Sequence, residues 1–104
     1  MENAQEFIER KKVELEQDQV RTMKDGAGNA YVWNREAWTL MMQSDYPEKV
    51  FLVDRFRRDG DVQYRFSFYS VKKGRWVWNR SCPLIPAADL QPLLDKARSE
   101  KTIE

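Results

Sequence analysis

Residues 50–71 read VFLVDRFRRDGDVQYRFSFYSV. An apolar run, Val50–Val53, passes into alternating charged and aromatic residues, Asp59-Gly60 interrupts, and a second alternating run follows. An Asp-Gly pair between two such runs is a strong hairpin signal and suits a two-residue type I′ turn. Successive side chains of a strand point to opposite faces. Val62, Tyr64, Phe66 and Phe68 therefore share one face of the second strand, and Gln63, Arg65, Ser67 and Tyr69 share the other. A hairpin with one aromatic face cannot stand alone in water, so the rest of the chain has to supply its neighbours.

Those neighbours are visible on both sides. Downstream, KKG turns the chain into RWVWNRSC, with Trp76 and Trp78 facing one way and Arg75, Val77 and Asn79 the other. Upstream, Asp25-Gly26 and Gly28-Asn29 are turn formers between a strand over 19–24 and another over 29–35. The stretch REAWTLMMQS leaves two readings open for residues 36–43: a continuing strand, or a helix using Trp33, Ala37, Leu40 and Met41. SDYPEK then breaks the chain, because the residue before Pro47 is pushed toward extended geometry.

Both ends read as helices. NAQEFIERKKVELE has no Gly or Pro, Asn3 and Glu6 have the spacing of a capping box, and Phe7, Ile8, Lys11 and Leu15 form a narrow stripe. The second helix starts from about residue 87 with Pro86 at its entry, Asp89 as a candidate cap, and Leu90, Leu93, Leu94 and Ala97 as its apolar stripe. The whole is expected to be one α+β domain spanning residues 1–104. Its core is an antiparallel meander of about five strands, with an N-terminal and a C-terminal helix covering one face. Tyr64, Phe66, Phe68, Trp76 and Trp78 are assigned to the core under those helices.

Composition bounds the rest. Hydrophobic residues make up 41% of the 104 and aromatics 12%, which is enough for a folded core beside 34% charged residues. Net charge is +1, but it is unevenly spread. Residues 1–20 hold six acids against Arg10, Lys11 and Lys12, whereas residues 49–80 hold nine bases against Asp54, Asp59 and Asp61. The single cysteine, Cys82, cannot form an internal disulfide and points to a reducing, cytoplasmic location; its expected role is that of a buried small hydrophobe. No apolar stretch suits a signal peptide or a membrane span.

The pattern EFIERKK, QVRTMK, YVWNREAW, RFSFYSVKKGRWVWN and DLQPLLDKA resembles a family of bacterial proteins of about a hundred residues, known only as a domain of unknown function. The resemblance spans residues 5–98; where such proteins end in an acidic-to-aromatic tail, this chain has SEKTIE. It implies a fold and carries over no catalytic residues.

Histidine is absent, which removes the commonest general base, the Ser-His and Cys-His pairs and the usual zinc ligand. Asp59 and Asp61 are explained by the turn they flank. DGAGNA lacks the lysine and following helix of a phosphate loop, and neither Asp-Gly segment ends in the glutamate of a calcium loop. The expectation is a non-enzymatic binding module with no cofactor and no metal. Its candidate surface is a basic face made by Arg55, Arg57, Arg65, Tyr69, Arg75 and Asn79. The partners expected of such a face are a protein, including a second copy, or single-stranded nucleic acid as the alternative.

Overall fold

The computed structural model describes all 104 residues. Helix α1 (Ala4–Gln17) is followed by strands β1 (Val20–Lys24), β2 (Ala30–Gln43), β3 (Tyr46–Arg58), β4 (Asp61–Lys72) and β5 (Arg75–Asn79), then helix α2 (Ala87–Ser99). The strands form one antiparallel sheet in chain order, β1-β2-β3-β4-β5. No helix is long and apolar enough to cross a membrane.

The α+β meander is as expected, but the two helices lie on opposite faces rather than on one. β3 shows why. In the middle of the sheet its residues Val50, Phe51, Leu52 and Val53 are all buried, as a run without alternation requires when both faces are covered. Val50 and Leu52 pack with Ala4, Phe7, Ile8 and Leu15 of α1, and with Leu40 and Tyr69. Phe51 and Val53 pack with Leu93 of α2, with Phe68, Ile85 and Ile103 around them.

Residues 36–43 are strand, and β2 is fourteen residues long. Its register with β3 slips by one residue between Arg35 and Ala37, so that Glu36 is an extra residue. Such a bulge reverses which residues point to each face. Trp33 and Arg35 before it, and Trp38 and Leu40 after it, then all face α1. That shift of phase is what gave the stretch its helix-like spacing.

The turns correct the sequence reading in detail. Lys73 and Gly74 both have positive φ (52° and 75°), which makes KKG the turn of type I′ character. At Asp59-Gly60 only Asp59 is left-handed (φ 53°). In the first hairpin Asp25 Oδ1 accepts from the backbone N–H of Ala27 and Asn29 (2.9 and 3.0 Å), tying the loop to itself. SDYP is a turn rather than a break, since Gln43 pairs with Tyr46 and Pro47 lies inside β3.

At α1 the capping box forms: Glu6 N–H donates to Asn3 Oδ1 (2.9 Å) and Asn3 N–H to Glu6 Oε1 (3.0 Å). At α2 Asp89 is not the cap. Pro86 holds that position without a side-chain bond, and the buried Asp89 carboxylate instead accepts from Ser44 N–H (2.9 Å), fastening the helix to the β2–β3 turn. Leu90 is exposed, leaving Leu93 and Ala97 as the fully buried apolar residues of α2. Cys82 is exposed, against expectation, because it follows the end of β5 in a segment outside both helices and the sheet.

Candidate anion-binding groove

The six residues expected to share one face are divided between two. The two-residue turn after β4 pairs Lys72 with Arg75, so Arg75 and Asn79 line up with Lys72 and Phe68, while Trp76 and Trp78 line up with Val71 and Tyr69. A register set by that turn fixes the face of every side chain in β5. Arg75 and Asn79 therefore share the α2 face with Arg55 and Arg57, and Arg65 and Tyr69 lie on the α1 face.

On the α2 face the arginines are already engaged. Arg55 and Arg57 both donate to Glu36 (2.7 and 2.9 Å) and also pair with Glu104, while Arg55 Nη1 donates to the Lys101 carbonyl (2.7 Å). These bonds, with the buried Thr39–Thr102 hydroxyl contact (2.8 Å), strap the C-terminal residues onto the sheet. The two guanidiniums hold the Glu36 carboxyl below its ordinary range. Asn79 Nδ2 donates to Ser70 Oγ (3.0 Å). The residues assigned to the core also separate. Trp76, Trp78 and Phe68 are half-buried, but Tyr64 and Phe66 are 40% and 38% exposed.

The α1 face holds the site. Asp54, with no exposure, sits between two arginines: Arg35 Nε donates to its Oδ1 (3.0 Å), and Arg65 Nε and Nη2 donate to its Oδ2 (3.2 and 2.9 Å). Arg35 is itself only 2% exposed, and its Nη1 donates to the Asp18 carbonyl at the end of α1 (2.9 Å). Both guanidiniums lie against the Phe56 ring, and Arg65 also lies 4.9 Å from the Trp78 ring centre. Burial pushes the Asp54 carboxyl above the ordinary aspartate value, and Arg35 and Arg65 pull it back. Two cations sharing one buried carboxylate leave a surplus positive charge beneath the surface.

Above this triad opens a groove of about 800 Å³, the largest of the main concavities. It is lined by Lys11 of α1, Arg21 to Lys24 of β1, Arg35, Arg65 and Tyr69 of the central strands, Trp76 and Trp78 of β5, and Arg80 beyond it. Six of these are cations and none is a carboxylate. Lys11 and Arg21 pair outside it with Glu14 (2.6 Å) and Asp18 (2.8 Å), whereas Lys24 and Arg80 make no ion pair. Tyr69 is nearly buried, and desolvation raises its phenol to about 12, so it is a neutral hydrogen-bonding group at neutral pH. Trp78 Nε1 donates to Ser67 Oγ (3.0 Å), and Trp76 Nε1 to the Glu2 carbonyl (2.9 Å), which hold the indoles upright as the groove wall. The groove presents N–H donors and aromatic surface, a combination that accepts anionic groups and planar rings.

Of the residues expected from the sequence, the groove gathers Arg65 and Tyr69. Those missed are Arg35, Lys11, Arg21, Lys24 and Arg80, together with Asp54, noted in the sequence only as one of three acids among the nine bases of residues 49–80. One signal was present: Asp54 interrupts the run VFLVDRF, and a charge in a buried strand needs a partner within the fold. No group of three or more Asp, Glu or Cys side chains gathers in a way that could hold a metal ion. No family model, curated protein or solved structure matches the chain.

Proposed function

We propose that the chain is a binding module that takes single-stranded nucleic acid in the groove on the α1 face. The observation that carries this reading is the convergence of six cations from five parts of the chain around an aromatic wall with no lining carboxylate. Stacking of bases on aromatic side chains is worth about 1–3 kcal/mol per base and tolerates any sequence, while Arg and Lys follow the phosphates. A half-buried indole already stacked on one side by Arg65 offers such a platform at Trp78. The basic residues of the α2 face are weaker candidates, because Glu36 and Glu104 neutralise Arg55 and Arg57.

Arg21, Arg80 and the surplus guanidinium of the triad can together neutralise about three phosphates, so log K should fall with log salt with a slope of about −2. Titration of fluorescent single-stranded and duplex oligonucleotides at 50 and 200 mM salt (about the range over which such effects are resolved) tests this. Single strands should bind the more tightly and lose about tenfold to twentyfold in affinity over that interval. Arg21→Ala and Arg80→Ala should each reduce the slope by a little under one without changing the fold. Absence of saturable single-strand binding at low salt and micromolar protein would overturn the reading.

A further inference from the structure

β4 is twelve residues long, but β5 pairs only with Phe68–Lys72. Asp61–Ser67 are therefore bonded to β3 on one side and have no strand on the other. An open edge of this length is a template for another strand, and natural edges are usually blunted by proline, lysine or a bulge. This one, DVQYRFS, has none of these, and its register with β3 is regular throughout. Its one basic residue, Arg65, is tied to Asp54 on the α1 face, which leaves the Val62, Tyr64 and Phe66 side of the edge without charge. The opposite border differs: β1 has five residues, and β2 beyond it carries the Glu36 bulge.

The geometry points to a second copy of this chain as the occupant, paired antiparallel through the same edge and centred on Tyr64. The segment is its own complement. In that register Tyr64 faces its counterpart, Val62 faces Phe66, Gln63 faces Arg65 and Asp61 faces Ser67. The exposed Tyr64 and Phe66 and the half-buried Val62 then form one apolar strip, of the aromatic and β-branched pairs that favour cross-strand contact. No like charges oppose each other directly, and Asp61 of each copy lies diagonal to Arg65 of the other, within reach of a long side chain. The contact is isologous, with the two-fold axis perpendicular to the sheet. Both α1 faces consequently look the same way, and the two cationic grooves flank the axis on one surface. This inference is independent of what the grooves bind.

Sedimentation equilibrium over a hundredfold (about two decades) range of concentration should show the mass rising toward twice 12.5 kDa. The register is tested by cysteine cross-linking in a Cys82→Ser background, which removes the exposed native thiol. Tyr64→Cys should form a disulfide-linked dimer under mild oxidation, because paired residues across a ladder lie about 4.5–5.5 Å apart. Phe66→Cys should not, since its two copies would be about 13 Å apart along the strands. Val62→Lys with Phe66→Lys should hold the protein monomeric while leaving its circular dichroism unchanged. A monomer at every concentration would overturn the inference, as would a dimer in which Phe66→Cys cross-links as readily as Tyr64→Cys.

Discussion

Asp54 is the residue on which most of the charge arrangement turns. It has no exposure and satisfies two guanidiniums, one of them 2% exposed, so removing its charge leaves cations uncompensated in a desolvated place. Asp54→Asn should cost about 3–5 kcal/mol, read from urea unfolding. Replacing Arg35, Asp54 and Arg65 together by apolar residues of similar volume should cost far less and can stabilise, because no unpaired charge remains. The triple variant should nevertheless lose groove affinity, which separates the triad's role in binding from its role in stability. Tyr69 allows a second measurement at this scale. Its phenol is raised from 10.0 to about 12 because burial disfavours the phenolate. In an alkaline titration followed by tyrosinate absorbance, its ionisation should appear well above the ordinary tyrosine value of 10.0. The sign follows from the raised value: the stability it contributes is complete below pH 10 and is lost as pH rises through 12.

Among the elements, the C-terminal strap contributes most that the sequence did not announce. After α2, Lys101 takes a left-handed conformation (φ 60°), and Thr102 N–H bonds back to the Ala97 carbonyl (2.8 Å), as at many helix ends. This turn drives Thr102, fully buried, against Thr39 of β2. Each hydroxyl is the other's partner in a dry place. Thr39→Val or Thr102→Val alone should therefore cost about 1–3 kcal/mol by leaving one hydroxyl unsatisfied. The double variant should cost clearly less than the sum, since two valines leave nothing unpaired. Additive losses in chemical denaturation would show that the contact does not couple α2 to the sheet.

Across the whole molecule, stability depends on carboxylates held ionised by their neighbours. Glu2 is lowered by Arg10, Glu14 by Lys11 and Arg10, Asp25 by the backbone and side chain of its own loop, and Glu36 by Arg57 and Arg55. A lowered carboxyl stabilises the fold above its unfolded value and loses that contribution as pH falls through its folded one. Stability should therefore be level above about pH 4.5, the ordinary glutamate value, and decline steadily below it. Urea midpoints from pH 7 down to pH 3 (about the range over which such carboxylates titrate) measure this. Glu36→Gln should flatten part of the decline, because Glu36 anchors the arginines that hold the strap.

The amino-acid sequence alone determined the element order and the hairpins. Alternation, Asp-Gly and Lys-Gly turns and the Asn3–Glu6 box are local properties, and local bonds such as those of Asp25 and Glu6 realise them. Which face each element covers was decided only by tertiary structure. One extra residue at Glu36 and one two-residue turn at Lys73-Gly74 set the phase of β2 and β5, and a shift of one position moves a side chain from one face to the other. Arg55 and Arg57 parted from Arg65 because the Asp59-Gly60 turn sets Tyr64 opposite Arg55 and Arg65 opposite Asp54. Lys11, Arg21, Lys24, Arg35, Arg65 and Arg80, far apart in the sequence, came together to line one groove. Periodicity records how a side chain alternates within its own strand; only the pairing of strands determines what stands beside it.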